Sequence, residues 1–296
     1  MLLNQKLPFR YIISKISTDL LYVAIITSVV YTISRAYENV IPEIPLSIPA
    51  FLGTAMSVIL SFKLSQSYDR WWEARKVWGT IANESRNLVL QLLSFVKNGN
   101  EEMIRSVASK QIAFCYCLGR SLRGVDPLQG MEHYMSAEEI KSLEPQLSKP
   151  LGIIQLISQE ITELKVNQRI DSYSYVHINN TLGNLVYAMG ATDRIKTTIF
   201  PVTYRLFLHM IIYLFIILLS ISLRDMGYFQ IPLLLMITSF FFLLERTATL
   251  LQDPFSNQPT DTPVTAIATN IEINVKNLLK DKDVPKPHQP ESFYLT

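Results

Sequence analysis

Thr54, Val58, Ser61 and Ser65 recur at helical spacing along a stretch that is otherwise apolar. At about 100° per residue they fall in one narrow stripe, with Phe62 on its flank. Lipid does not favour such a stripe of small and polar side chains. Two chemistries use it. One is a close helix–helix contact, where small residues and Ser/Thr are common in membranes. The other is the wall of a water-accessible pore or cavity. Spacing by itself leaves both open. The start of this helix adds to the second. Pro45 and Pro49 break the chain, and Gly53 permits a kink or a close approach. Regular helix is predicted to begin near Pro49, inside the apolar run. Unpaired backbone N–H groups and the positive end of the helix dipole there favour anions without a formal positive charge.

Other chemistries find little support. Cys115 and Cys117, two positions apart on a predicted helix, point to nearly opposite sides and read as packing residues in a reducing compartment. His133, His177, His209 and His288 lie far apart, so neither a metal site nor a cofactor is expected. HExxH, P-loop and GxSxG patterns are absent, so the chain does not read as an enzyme. The net charge of +2 is too weak to argue for nucleic acid. Lipid and ions remain as partners.

The elements that position the stripe follow from hydropathy. The 296 residues are 49% hydrophobic and only 18% charged, against about 25% charged in soluble domains. A bilayer core takes roughly 20 apolar residues in a helix. Ile44–Phe62, Leu206–Leu223 and Met226–Leu244 meet that length. Leu20–Ser34 is short and reaches it if Ser17 and Thr18 join, with Asp19 near the interface. None of these spans carries Asp, Glu, Lys or Arg at mid-depth, where a coupled transporter usually needs them. Lys6, Arg10 and Lys15 precede the first span, and Lys63, Arg70, Arg75, Lys76 and Arg86 follow the second. The opposite loops hold Arg35 and Arg224. The positive-inside rule then places both termini and the central segment in the cytoplasm.

The central segment reads as helical. Trp71–Lys97 continues the second span, with Trp71, Val77, Trp78, Ile81, Leu88, Leu92 and Phe95 at helical spacing. Glu101–Leu122, a short helix behind a Ser136–Glu139 capping box, Pro150–Val166 and Asp171–Thr197 follow. A last helix, to about Leu279, is predicted behind Thr262 as its cap and Pro263 at its first position. The organisation expected is 1–62 (N-terminal segment and two spans), 63–198 (helical cytoplasmic domain), 199–251 (two further spans), 252–280 (loop and helix) and 281–296 (flexible tail). The fold class is therefore all-α integral membrane protein.

The run Tyr68-Asp69-Arg70-Trp71-Trp72-Glu73-Ala74-Arg75 resembles the signature of bacterial bestrophin homologues. Phe200-Pro201-Val202-Thr203-Tyr204, Asp253-Pro254-Phe255 and Pro259-Thr260-Asp261-Thr262-Pro263 resemble further family motifs, in the family's order. The resemblance implies a homopentameric ion channel with one axial pore, whose neck is lined by three apolar residues spaced by four. These match Thr54, Val58 and Phe62, so a hydroxyl stands at the top position. The helical wheel instead favours Ser61 and Ser65 below Val58. A cytoplasmic aperture maps to Phe200, with neighbouring Ile199 as the other register. Eukaryotic members bind calcium after the fourth span. Here Asp253 and Asp261 are separated by Asn257, Gln258 and Thr260, a poor clasp for a hard cation, and no calcium activation is expected. The family is chiefly known for anion channels, and bacterial relatives also conduct cations. The expectation is therefore a passive channel for monovalent ions that leans to chloride. The alternatives are a cation channel of the same architecture, or a non-conducting membrane scaffold or sensor with a helical partner-binding domain.

Overall fold

The computed structural model describes residues 8–97, 100–198, 202–289 and 294. Its α-helices are α1 Phe9–Ala36, α2 Ser47–Phe95, α3 Glu101–Leu122, α4 Ala137–Leu143, α5 Lys149–Val166, α6 Ser172–Thr197, α7 Val202–Ser222, α8 Gln230–Gln252 and α9 Val264–Leu278. Four of them, α1, α2, α7 and α8, are long and apolar enough to cross a membrane. The chain divides into two compact units. One holds α1, the first half of α2, α7 and α8; the other holds the second half of α2, α3 to α6 and α9.

α2 is one unbroken helix of 49 residues, about 74 Å long. No glycine pair, proline or cap interrupts it between Thr54 and Phe95, so the apolar span and the charged amphipathic stretch share one backbone. α1 runs through Asp19 without interruption and starts well before Leu20, which supplies the length that Leu20–Ser34 lacks. α8 begins at Gln230, later than Met226. Gly227 (φ 62°) closes a 3-10 turn from Arg224 to Phe229 that uses up the first residues of the apolar run.

In the unit with the four spans, Met56 and Leu60 of α2 are buried with Val23 of α1, Ile212 and Phe215 of α7, and Phe242 of α8. Gly53 permits a close approach: a Cβ there would lie 3.1 Å from a Phe215 ring carbon. At the turn that joins α7 to α8, buried Arg224 donates to the Ile41 carbonyl at 3.3 Å and to Glu43 at 3.2 Å. The linker that leads into α2 is thereby held in place.

In the other unit, Trp78, Ile81, Leu88 and Leu92 of α2 form a core with Phe114 and Leu118 of α3, Ile157 of α5, Leu185 of α6 and Ile271 of α9. Cys115 and Cys117 are buried and unbridged, and burial pushes both thiols up to about 12. The capping box at Ser136 forms as predicted, with Glu139 Oε2 accepting from the Ser136 N–H at 2.9 Å. Thr262 does not cap α9. Its buried hydroxyl has no hydrogen-bond partner among the described residues, and its carbonyl instead accepts from the Val264 N–H at 2.8 Å. Pro263 stands at the cap position and lends no side-chain bond.

Asp253 and Asp261 occupy the loop before α9. Asp253 accepts from Lys196 Nζ at 2.9 Å and from the Phe255 N–H at 3.1 Å. Asp261 is buried, and Ser256 donates to it at 3.4 Å. With one carboxylate neutralised by a lysine and the other sealed from water, these residues do not fit a calcium ion. Burial pushes the Asp261 carboxyl up to about 6, opposed by the backbone N–H groups of Gln258 and Asn257. The folded protein therefore holds this proton to a higher pH than the unfolded chain. The stability it contributes is complete below pH ~4 and is lost as pH rises toward ~6. Asp261→Asn is expected to exceed wild type in stability at pH 7, on the order of 2 kcal/mol, with the difference gone by pH ~4. Thermal unfolding at the two pH values checks this.

Candidate pore-lining helix and its support

The membrane half of α2 has two faces. Met56, Leu60, Lys63 and Ser67 are buried. They recur at three- and four-residue intervals and form the back of the helix. Thr54, Val58, Ser61, Phe62 and Ser65 are all exposed on the front. The single chain thus brings both sequence-derived sets, Thr54/Val58/Phe62 and Ser61/Ser65, onto one face that stays exposed among the described residues. Phe62 is 65% exposed and Val58 51%.

The hydroxyls on this face differ in what they offer. Thr54 donates to the Ala50 carbonyl at 3.0 Å and Ser57 to that of Gly53 at 2.8 Å. Ser61 and Ser65 make no hydrogen bond to a described residue, which leaves their O–H groups available to water or an ion. On α1 the exposed face carries Leu21, Tyr22, Ile25, Val29 and Ile33. Toward the middle of the span, its exposed Ser28 and Thr32 hydroxyls donate one turn back at 2.7 and 2.8 Å. That pattern suits lipid, where each polar group must find its partner within the protein.

Behind the front face lies a charge cluster that hydropathy did not reveal. Lys63 Nζ is 2.7 Å from Glu245 Oε1 and 3.0 Å from Thr249 Oγ1. Thr249 in turn donates to Glu245 at 2.8 Å. His209 Nε2 of α7 lies 4.0 Å from the other Glu245 oxygen. The Lys63 and Glu245 side chains are 1% and 3% exposed. Each stands one position beyond the end of a predicted span, so both ends mark the same depth. That coincidence of depth was the available signal for the pair. One turn or two further on, Arg70 Nε donates to the Gln252 carbonyl at 2.9 Å, and the Tyr68 and Trp71 rings lie 5.9 Å apart. Phe200 and Ile199, the expected aperture residues, lie outside the described residues.

These features define the class: an all-helical, multi-pass membrane protein whose second span presents a hydroxyl-bearing face with no partner among the described residues. Residues 9–277 match the family described as Bacterial/Fungal Bestrophin protein. The chain belongs to the bestrophin family. It is 27% identical over 284 residues to the voltage-dependent anion channel-forming protein YneE of Escherichia coli (strain K12), covering 96% of this chain and 93% of that protein. A similarly named protein of Mesorhizobium japonicum, mll4386, is 24% identical over 286 residues, covering 96% and 91%. The crystal structure of a bacterial bestrophin homolog from Klebsiella pneumoniae superposes with a TM-score of 0.84 at 27% identity, covering 90% of this chain and all of that one.

Proposed function

We propose that this protein is a passive homopentameric ion channel in which five copies of α2 surround one axial pore. The observation that carries this reading is the exposed front of α2, with Thr54, Val58, Ser61, Phe62 and Ser65 facing away from a fully packed back. Thr54, Val58 and Phe62 form the neck, and Ser61 and Ser65 are the competing lower lining. Rings of Val58 and Phe62 narrow and dry the path, and apolar constrictions of this kind gate by dewetting. Phe200, or Ile199, forms the second constriction at the cytoplasmic exit. No catalytic step, metal or cofactor enters the reading.

Monovalent anions, chloride above all, are the favoured ions. The names of the relatives in E. coli and M. japonicum support this. So do the helix start near Pro49 and the free hydroxyls of Ser61 and Ser65, which can donate to an anion. The membrane is a bacterial inner membrane, which the bacterial sources of the relatives support, and both termini lie in the cytoplasm on the distribution of lysine and arginine about the spans.

The test is the reversal potential of the purified protein in planar bilayers under a chloride salt gradient. A value near the chloride equilibrium potential is the expected result. A value near the sodium or potassium potential makes it a cation channel of the same architecture. No current from an intact oligomer would leave a membrane scaffold or sensor.

A further inference from the structure

The back of the membrane half of α2 changes character along its length. Above, Met56 and Leu60 pack against apolar side chains of the neighbouring helices. Apolar contact is non-directional. Such a seam resists separation of the helices far more than it resists rotation of one of them about its axis. Below, the seam ends in Lys63, whose contacts are directional. Its ammonium is aimed at Glu245 and Thr249 of α8, and all three polar groups are within hydrogen-bond distance of one another. Turning the helix would break the two bonds that Lys63 makes and pull two buried charges apart, which is far more costly than sliding methyl groups past each other.

Ser61 and Phe62 are adjacent, so they differ by about 100° around α2. Both are exposed in the single chain, and a rotation of about half that angle exchanges one for the other on a central axis. Lys63 follows Phe62 by a further step of about 100°, which puts it nearly opposite Ser61 on the buried back of the helix. Lys63 is the tie nearest to Ser61 and Phe62; Arg70, two turns further on, donates to the Gln252 carbonyl of α8 at 2.9 Å from a half-exposed position. Tyr204 donates to the Ile59 carbonyl at 3.4 Å, and Arg224 holds the linker before α2 rather than the helix itself.

We propose that the buried Lys63–Glu245–Thr249 cluster is a rotational stop for the pore helix, which decides whether Ser61 or Phe62 lines the neck. The proposal rests on the reading of α2 as the pore wall. Lys63 and Glu245 are positioning residues in it and touch no ion. Buried ion pairs have their best-attested use in fixing the register of packed helices, which is the role assigned here.

The experiment uses the full-length oligomer in planar bilayers, with Ser61→Cys and Phe62→Cys made separately and modified by a small methanethiosulfonate reagent during recording. Buried Cys115 and Cys117 provide a slow background, measured in wild type. With the cluster intact, one of the two cysteines is expected to react at least about tenfold faster than the other. In a Lys63→Met/Glu245→Leu background, which keeps volume and leaves no lone charge, the ratio should fall toward one. In the exchanged Lys63→Glu/Glu245→Lys background it should return. A purely structural role would change thermal stability without moving this ratio. The proposal is overturned if the two cysteines react alike with the cluster intact, if the ratio survives its removal, or if the exchange fails to restore it. Should the apolar double variant not assemble, Thr249→Val takes its place, and an unchanged ratio there also overturns the proposal. Current that responds to modification in every background, at an unchanged ratio, removes the rotational stop but keeps the pore. Current that never responds at either position removes the pore reading as well.

Discussion

Phe62→Ala is expected to raise single-channel conductance about tenfold, and Val58→Ala to raise it by less, because lowering a barrier by about 1.4 kcal/mol multiplies a rate by ten. The physical reason lies in the neck. A ring of five apolar side chains excludes water, and an ion that crosses it must shed part of its hydration. In the proposed pentamer, truncating Phe62 removes five aromatic rings at once and widens the neck. Neither side chain contributes to packing within the single chain, since both stand exposed on the front of α2. The truncations should therefore leave thermal stability close to wild type. Leu60→Ala gives the contrast. Leu60 is buried on the back of the same helix, and its loss should cost about 2–5 kcal/mol. Planar-bilayer recording and thermal unfolding of the three variants separate the two faces. Equal conductance in wild type and Phe62→Ala would show that Phe62 is not at the constriction.

Trp78→Ala is expected to destabilise the unit that contains α3 to α6 and α9 by about 3–5 kcal/mol, the usual cost of deleting a large buried aromatic. Trp78 is fully buried on α2. The far edge of its indole reaches Gly119 of α3, where a Cβ would make ordinary contacts of 3.6 Å with the indole and 3.4 Å with Val264 of α9. One side chain thus fills the space where three helices converge. Trp72, 47% exposed, is the control. Its truncation should cost much less in the isolated chain and report on assembly instead. Thermal unfolding, read beside oligomer size, distinguishes the two tryptophans.

Local chemistry was legible in the amino-acid order. Glu101–Leu122 is found with the expected bounds because acidic residues open it and a polar loop follows. The Ser136 capping box forms because both of its hydrogen bonds are made within four residues. The unbroken course of α2 follows from the lack of any helix-stopping signal after Gly53. The hydroxyl stripe follows from helical periodicity, since residues at three- and four-residue spacing must share a face. The resemblance of the Tyr68–Arg75 run and the later motifs led to the family that the match over residues 9–277 shows.

What the tertiary structure decided depends on residues far apart in the chain. Periodicity placed Lys63 just past a span, where a lysine ordinarily reaches to the interface. Its burial follows from Glu245, 182 positions away, and a desolvated charge persists only where such a partner is held. The failure of Thr262 to cap α9 has the same origin. Its neighbours satisfy every local rule for a cap, and the burial of the whole Thr262–Val264 turn overrides them. The late start of α8 depends on one left-handed glycine, Gly227, in a turn anchored by Arg224 to the distant Glu43. Periodicity says which residues share a face of a helix. Which face turns inward is settled by what packs against it, and for α2 that is Phe215, Phe242 and Glu245.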